Sequence, residues 1–365
     1  MKIYEKRLRY LIARYGYSQN LLAWEFFNEI DHEFKYLNKN SVALWHVVVG
    51  GWLHANDPYK HLVTTSLSYA SAHPGLWSVT QLDYLSWHTY FNGHSNPATA
   101  MASDAAYYRQ TYNRAVQIGE YGTDWTGWGG SIAGDPYLRG LRQGIWGGAL
   151  GGSVGTSMSW WWQNIDAADA YWLYSSLGTI LGNSGWGQGS WTNILFNTSG
   201  PISIAIGLSG ERESLVYLVA PGASWPAGAT NAALPLQQGK TITMKNWPAG
   251  KFLAAWYDPA SGAYVDSSQG VTTNGNLTLT LPDFTEDLAG IVFTPPTLNE
   301  AAASPAGDFQ FTLNSEPGGR YQIQRSYDLN TWTPILTVTN LMGELPVPTG
   351  QTTNAKSYFR AKRNP

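Results

Sequence analysis

The 365-residue chain contains no cysteine. That excludes thiolate metal sites, cysteine nucleophiles and a disulfide scaffold. Charge is also scarce. Only 13% of residues are charged, against about 25% in an average soluble protein. With 22 basic and 25 acidic residues the net charge is −3. No basic excess exists to displace phosphate counterions, so nucleic acid is excluded as a partner on bulk electrostatics. No run of roughly 18 apolar residues occurs, and no membrane span is expected. A secretory leader pattern is missing as well. Met1 leads directly into an amphipathic stretch, with Ile3, Leu8, Leu11, Ile12 and Tyr15 at helical spacing and Gly16 as a stop. The residues themselves therefore do not argue for export. The seven histidines show no His-Glu-x-x-His spacing and no acidic calcium loop is present, so no metal or cofactor is expected. Gly151-Gly152-Ser153-Val154-Gly155 matches a nucleophile elbow in letters only. That turn needs a strand before it and a helix after it, and here the order is reversed.

Aromatic residues are abundant. They make up 14% of the chain, with 18 Trp and 22 Tyr, beside 39 Gly. Such a chain is not disordered. Indole rings pack cores, and their flat apolar faces also stack on the C–H faces of sugar rings. Together with the low charge, the Trp total favours a carbohydrate-active protein. The length predicts two or three domains of about 100–200 residues each.

Up to about residue 185 apolar strands alternate with helices. Strands are expected at 21–27, 61–66, 84–88, 115–119 and 156–161. Helices are expected at 42–53, 99–113, 136–150 and 171–181. In the first of these helices Trp45, Val48, Val49 and Trp52 form the expected buried side. Pro136 suits the first turn of the third. This alternation predicts a parallel α/β arrangement of five strands, whereas a closed (β/α)8 barrel needs eight. Beyond about residue 200 the helical period ends. Short β-branched strands at 202–208, 214–219, 240–244, 251–257 and 277–281 predict an antiparallel sandwich. A linker is expected from Thr294-Pro295-Pro296 to Gly307. Strands at 309–313, 320–325, 334–339 and 357–362 then predict a small second sandwich.

Two carboxylates stand at strand ends. Glu29 closes the run Leu21 to Asn28, and Glu120 closes Ala115 to Gly119. The C-terminal ends of barrel strands form the active-site face. A carboxyl pair there meets the needs of glycoside hydrolysis, one protonating the leaving oxygen and the other attacking the anomeric carbon or activating water. The bland alternative makes them capping or solvated loop carboxylates. The dipeptides alone decide nothing, since Asn299-Glu300 sits in the expected linker, and Gly210-Glu211 and Gly343-Glu344 repeat the second pattern. Between the two lies Trp87-His88-Thr89-Tyr90. His88 and Tyr90 share one face of an extended chain and could hold a carboxylate and a sugar hydroxyl. Of Trp160, Trp161 and Trp162, at least one must face the mouth of the strand layer. Glu25 shares parity with Glu29 and is expected as a buried partner for a basic residue.

In order and spacing these four strand ends resemble glycoside hydrolase clan A, most of all family 5 and its cellulase-like members, over about residues 1–185. The resemblance implies a (β/α)8 barrel and a retaining mechanism. It implies that Glu29 is the acid/base and Glu120 the nucleophile. It makes Asn28, His88, Tyr90, Trp161 and Trp162 substrate-binding residues, with Tyr90 orienting Glu120 and Trp161, favoured by parity with Ser157 and Ser159, stacking beneath the sugar. Retention requires carboxyl groups roughly 5–5.5 Å apart, and more than roughly 6.5 Å points to inversion. It further implies that Glu29 is held protonated and Glu120 ionised. By this alignment only strands four to eight of the barrel are present, so the barrel is expected to be N-terminally incomplete and the chain a piece of a longer product. An extracellular or periplasmic location follows from the resemblance alone.

The segment 199–294, with Ala255-Trp256-Tyr257-Asp258-Pro259-Ala260-Ser261-Gly262, resembles a sandwich module labelled collagen-binding. The tail 305–365, with Ser315 to Tyr321 and Asp328-Leu329-Asn330-Thr331-Trp332, resembles accessory β-domains of secreted bacterial proteins. The expected organisation is thus a barrel domain at 1–198 and sandwiches at 199–294 and 305–365. The expected partner is a poly- or oligosaccharide, and the residues carry no reading of oligomeric state. A non-catalytic carbohydrate-binding or structural fragment is the rival expectation, and an adhesion protein with a vestigial barrel the third.

Overall fold

The computed structural model describes residues 2–33, 38–92, 95–124, 134–199, 202–211, 213–303, 309–315, 318–350 and 356–364. The chain divides into two compact units, Met1–Ile165 and Asp166–Pro365.

In the first unit helix α1 (Lys2–Tyr15) buries Leu8 and Ile12 and ends where the Gly16 amide donates to the Ile12 carbonyl at 2.9 Å. The strands are β1 (Ala23–Glu25), β2 (Leu62–Thr64), β3 (Ser66–Leu67), β4 (Tyr84–Tyr90), β5 (Ala115–Gly122) and β6 (Met158–Ser159). Every pairing among them is parallel. β1 pairs with β2, and β3-β4-β5-β6 form one sheet. Thr65 alone separates β2 from β3, so five strand positions follow one another in chain order, as the apolar runs predict. Among the described residues β1 and β6 do not pair with each other, and no closed barrel is formed.

The crossovers are α2 (Lys39–Asn56), the short α3 (Pro74–Trp77), α4 (Pro97–Tyr112) and α5 (Arg139–Leu150). Their ends follow from local chemistry. Asn96 accepts from the amides of Ala98 (2.9 Å) and Thr99 (3.3 Å), Pro97 follows it, and Asn113 closes α4 at φ 49°. Two expectations need correction here. Helix α5 starts at Arg139 rather than at Pro136, because the Asp135 carboxylate takes the free amides of Arg139, Gly140 and Leu141 at 2.8, 2.7 and 3.2 Å. The buried face of α2 is Val42, His46, Val49, Gly50 and Leu53, not Trp45, Val48 and Trp52. Gly50 sets that face, since a Cβ there would lie 2.7 Å from Gln81 Cβ. The last expected strand also shrinks to Met158–Ser159, and helix α6 (Trp162–Ala167) follows almost at once.

In the second unit helix α7 (Trp172–Gly182) precedes nine antiparallel strands' worth of sandwich: β7 (Thr192–Asn193), β8 (Phe196–Ser199), β9 (Ile204–Ser209), β10 (Glu213–Val219), β11 (Thr241–Lys245), β12 (Lys251–Tyr257), β13 (Tyr264–Val271), β14 (Asn276–Thr280) and β15 (Asp287–Phe293). They form sheets in the orders β13-β12-β15-β10-β9-β7 and β14-β11-β8. Strands β10 and β15 are buried along their whole length, which explains their unbroken apolar runs. The Asp258-to-Gly262 motif is the turn from β12 to β13. Asp258 accepts from the Ala260 amide at 2.9 Å and the Ser261 hydroxyl at 2.7 Å, and Gly262 adopts φ 72°.

A second pair of sheets holds β16 (Thr297–Ala303), β17 (Phe309–Asn314) and β20 (Glu344–Pro348), and β18 (Arg320–Ser326), β19 (Thr333–Thr339) and β21 (Tyr358–Arg363). Leu313, Tyr321, Ile323 and Val347 are its core. The expected linker is corrected in part, because residues 297–303 form β16 on β17, and Asn299 lies in that strand. Residues 304–308, where the last domain was expected to begin, and 316–317 of the Ser315–Tyr321 motif lie outside the described residues.

Candidate active site

Glu120 reaches its position through a register shift. Along β4 and β5, Ser86 pairs with Gln117 and Trp87 with Ile118, but His88 pairs with Glu120. Gly119 is the extra residue. Were Gly119 paired regularly instead of bulged out, Glu120, two residues after Ile118, would share the helix-packed side. The bulge instead puts Glu120 on the face of His88 and Tyr90. Glycine suits this point, since a Cβ on Gly119 would lie 3.0 Å from the Ser86 hydroxyl.

Glu120 is 6% exposed. The Tyr90 hydroxyl donates to its Oε1. Gly122 leaves room for that ring, because a Cβ there would lie 2.5 Å from Tyr90 Cε1. Glu29 follows β1, whose extended course continues as Phe26 N donates to Thr64 O (3.0 Å) and Ser66 N to Phe27 O (3.0 Å). Glu29 itself sits at φ 48°, a left-handed conformation that non-glycine residues rarely adopt. Its amide donates to Ser66 Oγ at 3.1 Å. The following 3-10 turn, Ile30–Glu33, is tied down by Asp31, which accepts from the Ser68 amide at 2.8 Å and from the Ser68 hydroxyl.

His88 joins the two carboxylates. Its Nδ1 lies 2.7 Å from Glu29 Oε1 and 3.4 Å from Glu120 Oε2. One oxygen of each carboxylate and a ring nitrogen of His88 all fall within 4.8 Å of one another. The outer oxygen of Glu29, Oε2, lies 3.0 Å from His32 Nε2. Burial pushes the Glu120 carboxyl above its ordinary value, and the neighbouring charges of Glu29 and Glu25 add to this; the Tyr90 hydrogen bond and His88 oppose it. The Tyr90 hydroxyl is pushed up by its own burial and by Glu120, so it stays protonated and donates.

The structure thus gathers Glu29, His88, Tyr90 and Glu120. Neither carboxylate is a helix cap, and Glu120 is not solvated. Asn28 is exposed beside this cluster. Glu25 is exposed too, with no basic partner among the described residues, which corrects the expectation of a buried pair. The parity argument for Trp161 is also corrected. Strand pairing matches Glu120 with Met158 and Tyr121 with Ser159. Ser157, Ser159 and Trp161 therefore belong to the helix-packed side. Trp161 is half-buried, donates Nε1 to the Asp124 carbonyl, and lines a small cavity with Tyr121, Asp135, Leu141 and Ile165. Trp160, 44% exposed, lies at the bend just after this strand. Trp162, 57% exposed, opens α6. Sequence reasoning missed the bulge at Gly119, the room that Gly122 leaves for Tyr90, and His32. The spacing of Glu29 and His32, one helical turn apart, was the one available signal.

No family model matches this chain, and no curated protein matches it. Solved structures do. A GH30 endoxylanase from Clostridium papyrosolvens C71 is 14% identical, with 80% of this chain and 70% of that one covered at a TM-score of 0.46. A glycoside hydrolase family 30 subfamily 8 xylanase from Clostridium acetobutylicum is 11% identical, with 80% and 71% covered at 0.45. An endo-beta-1,4-mannanase from Thermotoga petrophila is 12% identical, with 97% and 71% covered at 0.34. These are partial likenesses, and the chemistry of the site rests on its own atoms.

Proposed function

We propose that this chain is a retaining glycoside hydrolase that cleaves β-linked glycans by double displacement. The observation that carries the reading is the pair of carboxylate oxygens, one from Glu29 and one from Glu120, within 4.8 Å of each other on one partly buried face. That nearest-oxygen spacing is compatible with the roughly 5–5.5 Å between carboxyl groups that retention uses.

In this mechanism Glu29, the more accessible of the two, protonates the leaving oxygen. Glu120 attacks the anomeric carbon and forms a glycosyl ester. Glu29 then deprotonates the water that releases it. Tyr90 holds Oε1 of Glu120, so Oε2 is the attacking atom. His88 sits between the carboxylates and can pass positive character to whichever is ionised. Burial works against ionising Glu120, and the Tyr90 and His88 contacts are what counter it. Asn28 and Trp160 would meet the sugar from the open side. The domains proposed at 1–198, 199–294 and 305–365, and a location outside the cytoplasm, belong to the same reading. Among the described residues no helix is long and apolar enough to cross a membrane.

The exposed indoles of Trp160 and Trp162 favour a second reading, a non-catalytic carbohydrate-binding chain. One experiment separates the two. Reducing-sugar release is measured on cellulose, mannan, galactan and xylan, with Glu29→Gln and Glu120→Gln as controls. The glycosidase reading expects release on at least one glycan, lowered roughly 10²–10⁴-fold in either variant, with the anomeric configuration retained by NMR. Sugar binding without release on any of them sinks it.

A further inference from the structure

We propose that Glu29, His88 and Glu120 form a site for one zinc-type divalent ion, held between His88 and the carboxylates. Its binding is independent of the glycosidase reading; its consequence as an inhibitor rests on that reading. The argument starts from how each carboxylate divides its two oxygens. Oε1 of Glu120 is taken by the Tyr90 hydroxyl, and Oε2 of Glu29 by His32 Nε2 at 3.0 Å. The remaining oxygens, Oε2 of Glu120 and Oε1 of Glu29, both turn to His88 Nδ1, at 3.4 and 2.7 Å.

Three donor atoms thus converge within 4.8 Å. A zinc ion at roughly 2.0–2.2 Å from each ligand in tetrahedral geometry would space them roughly 3.3–3.5 Å apart. The present spacing reaches that with small side-chain movements. One imidazole nitrogen with two carboxylate oxygens suits a borderline ion such as zinc. Magnesium demands octahedral oxygen coordination and keeps its water. Charge points the same way. Among the described residues no lysine or arginine pairs with Glu29 or Glu120, so two carboxylates meet without a permanent cation. His88 is 4% exposed and Glu120 6%, whereas the Glu29 side chain is 21% exposed and marks the entry side, where a water can fill the fourth position. Tyr90 and His32 act as the outer partners that hold ligating carboxylates in place.

The exchange balances simply. The ion takes the Nδ1 lone pair, the one proton of the neutral imidazole sits on Nε2, and no bond to carbon changes. An ion so bound occupies the attacking oxygen of Glu120 and the proton-donating oxygen of Glu29 together, and would block hydrolysis competitively with substrate.

Calorimetry on the full chain, tag-free and stripped with EDTA, tests this with ZnCl2 and no substrate. The expected result is one ion per chain. Zinc should also raise Tm, and MgCl2 should do neither. His88→Gln should weaken zinc at least roughly 10–100-fold. Glu29→Gln, at a more exposed position, provides the same reading if His88→Gln fails to fold. No saturable single site on the wild type, or an unchanged isotherm in a folded His88→Gln or Glu29→Gln variant, overturns the proposal. Hydrolysis is measured separately in EDTA. Hydrolysis without zinc binding overturns the ion site alone, and zinc binding without hydrolysis on any glycan supports the ion site while counting against the glycosidase reading.

Discussion

At the scale of single residues, the site depends on how Glu120 is kept usable. Its burial favours the neutral acid, and Tyr90 is the nearest donor that favours the carboxylate. Removing that donor in Tyr90→Phe should raise the Glu120 pKa further. The acid limb of the kcat/KM profile should then move to higher pH, because the carboxylate needed for attack forms later. A hydrogen bond to a charged group contributes about 1.5–3 kcal/mol, so kcat/KM should fall about 10–100-fold near neutral pH. An unchanged acid limb would show that Tyr90 does not set the charge of Glu120. Gly122→Ala tests the same contact from the other side. Its new methyl would lie 2.5 Å from the Tyr90 ring, so the ring must move, and the profile should shift as in Tyr90→Phe.

At the scale of elements, the bulge in β5 decides which way the carboxylate points. Deleting Gly119 makes Glu120 follow Ile118 directly, so plain alternation keeps it opposite Ile118 and paired with His88. The expected outcome is hydrolysis retained with far-UV circular dichroism unchanged; loss of hydrolysis in a folded deletion variant would refute the register argument. The start of α5 rests on Asp135 in the same local way. Asp135→Ala leaves three amide donors without their acceptor, and urea unfolding should show a loss of about 0.5–2 kcal/mol. In the second unit, β21 is anchored by Arg363, which donates to the Asn183 carbonyl and lies 3.5 Å from the buried Glu213 carboxylate. Arg363→Ala removes the cation beside that buried carboxylate, which keeps the Gly185 amide, and should destabilise the unit by about 3–5 kcal/mol.

At the scale of the whole molecule, acid sensitivity is expected to begin in the first unit. His46 is buried among Phe26, Phe27 and Trp45. Burial pushes its pKa down to about 4; its hydrogen bond to the Val42 carbonyl opposes this, and His73 adds to it. The unfolded chain therefore takes up the proton first as pH falls. The stability contributed above about pH 6.5 is lost progressively toward pH 4, by about 3 kcal/mol at most. Tm measured across that range should fall in the wild type and fall less in His46→Phe. An identical fall in both would assign the acid sensitivity elsewhere.

The sequence by itself determined the strand and helix alternation of the first 165 residues, the strand-rich remainder, and the four ends that carry Glu29, His88, Tyr90 and Glu120. These follow from periodicity, from caps such as Asn96 and Asn113, and from apolar runs, all of which act over a few residues. Strands with weak internal pattern, such as Tyr264–Val271 and Thr297–Ala303, were not legible, because their pairing to β12 and β17 supplies what their own residues lack. Only the tertiary structure decided which face each side chain takes. One extra residue at Gly119 reverses the parity of everything after it, and pairing of Ser159 to Tyr121 puts the strand that leads into Trp161 on the helix side. The contacts that assemble the site span 30 residues from Tyr90 to Glu120 and 59 from Glu29 to His88. No local pattern encodes a distance in space over such separations. The packed sheet sets it.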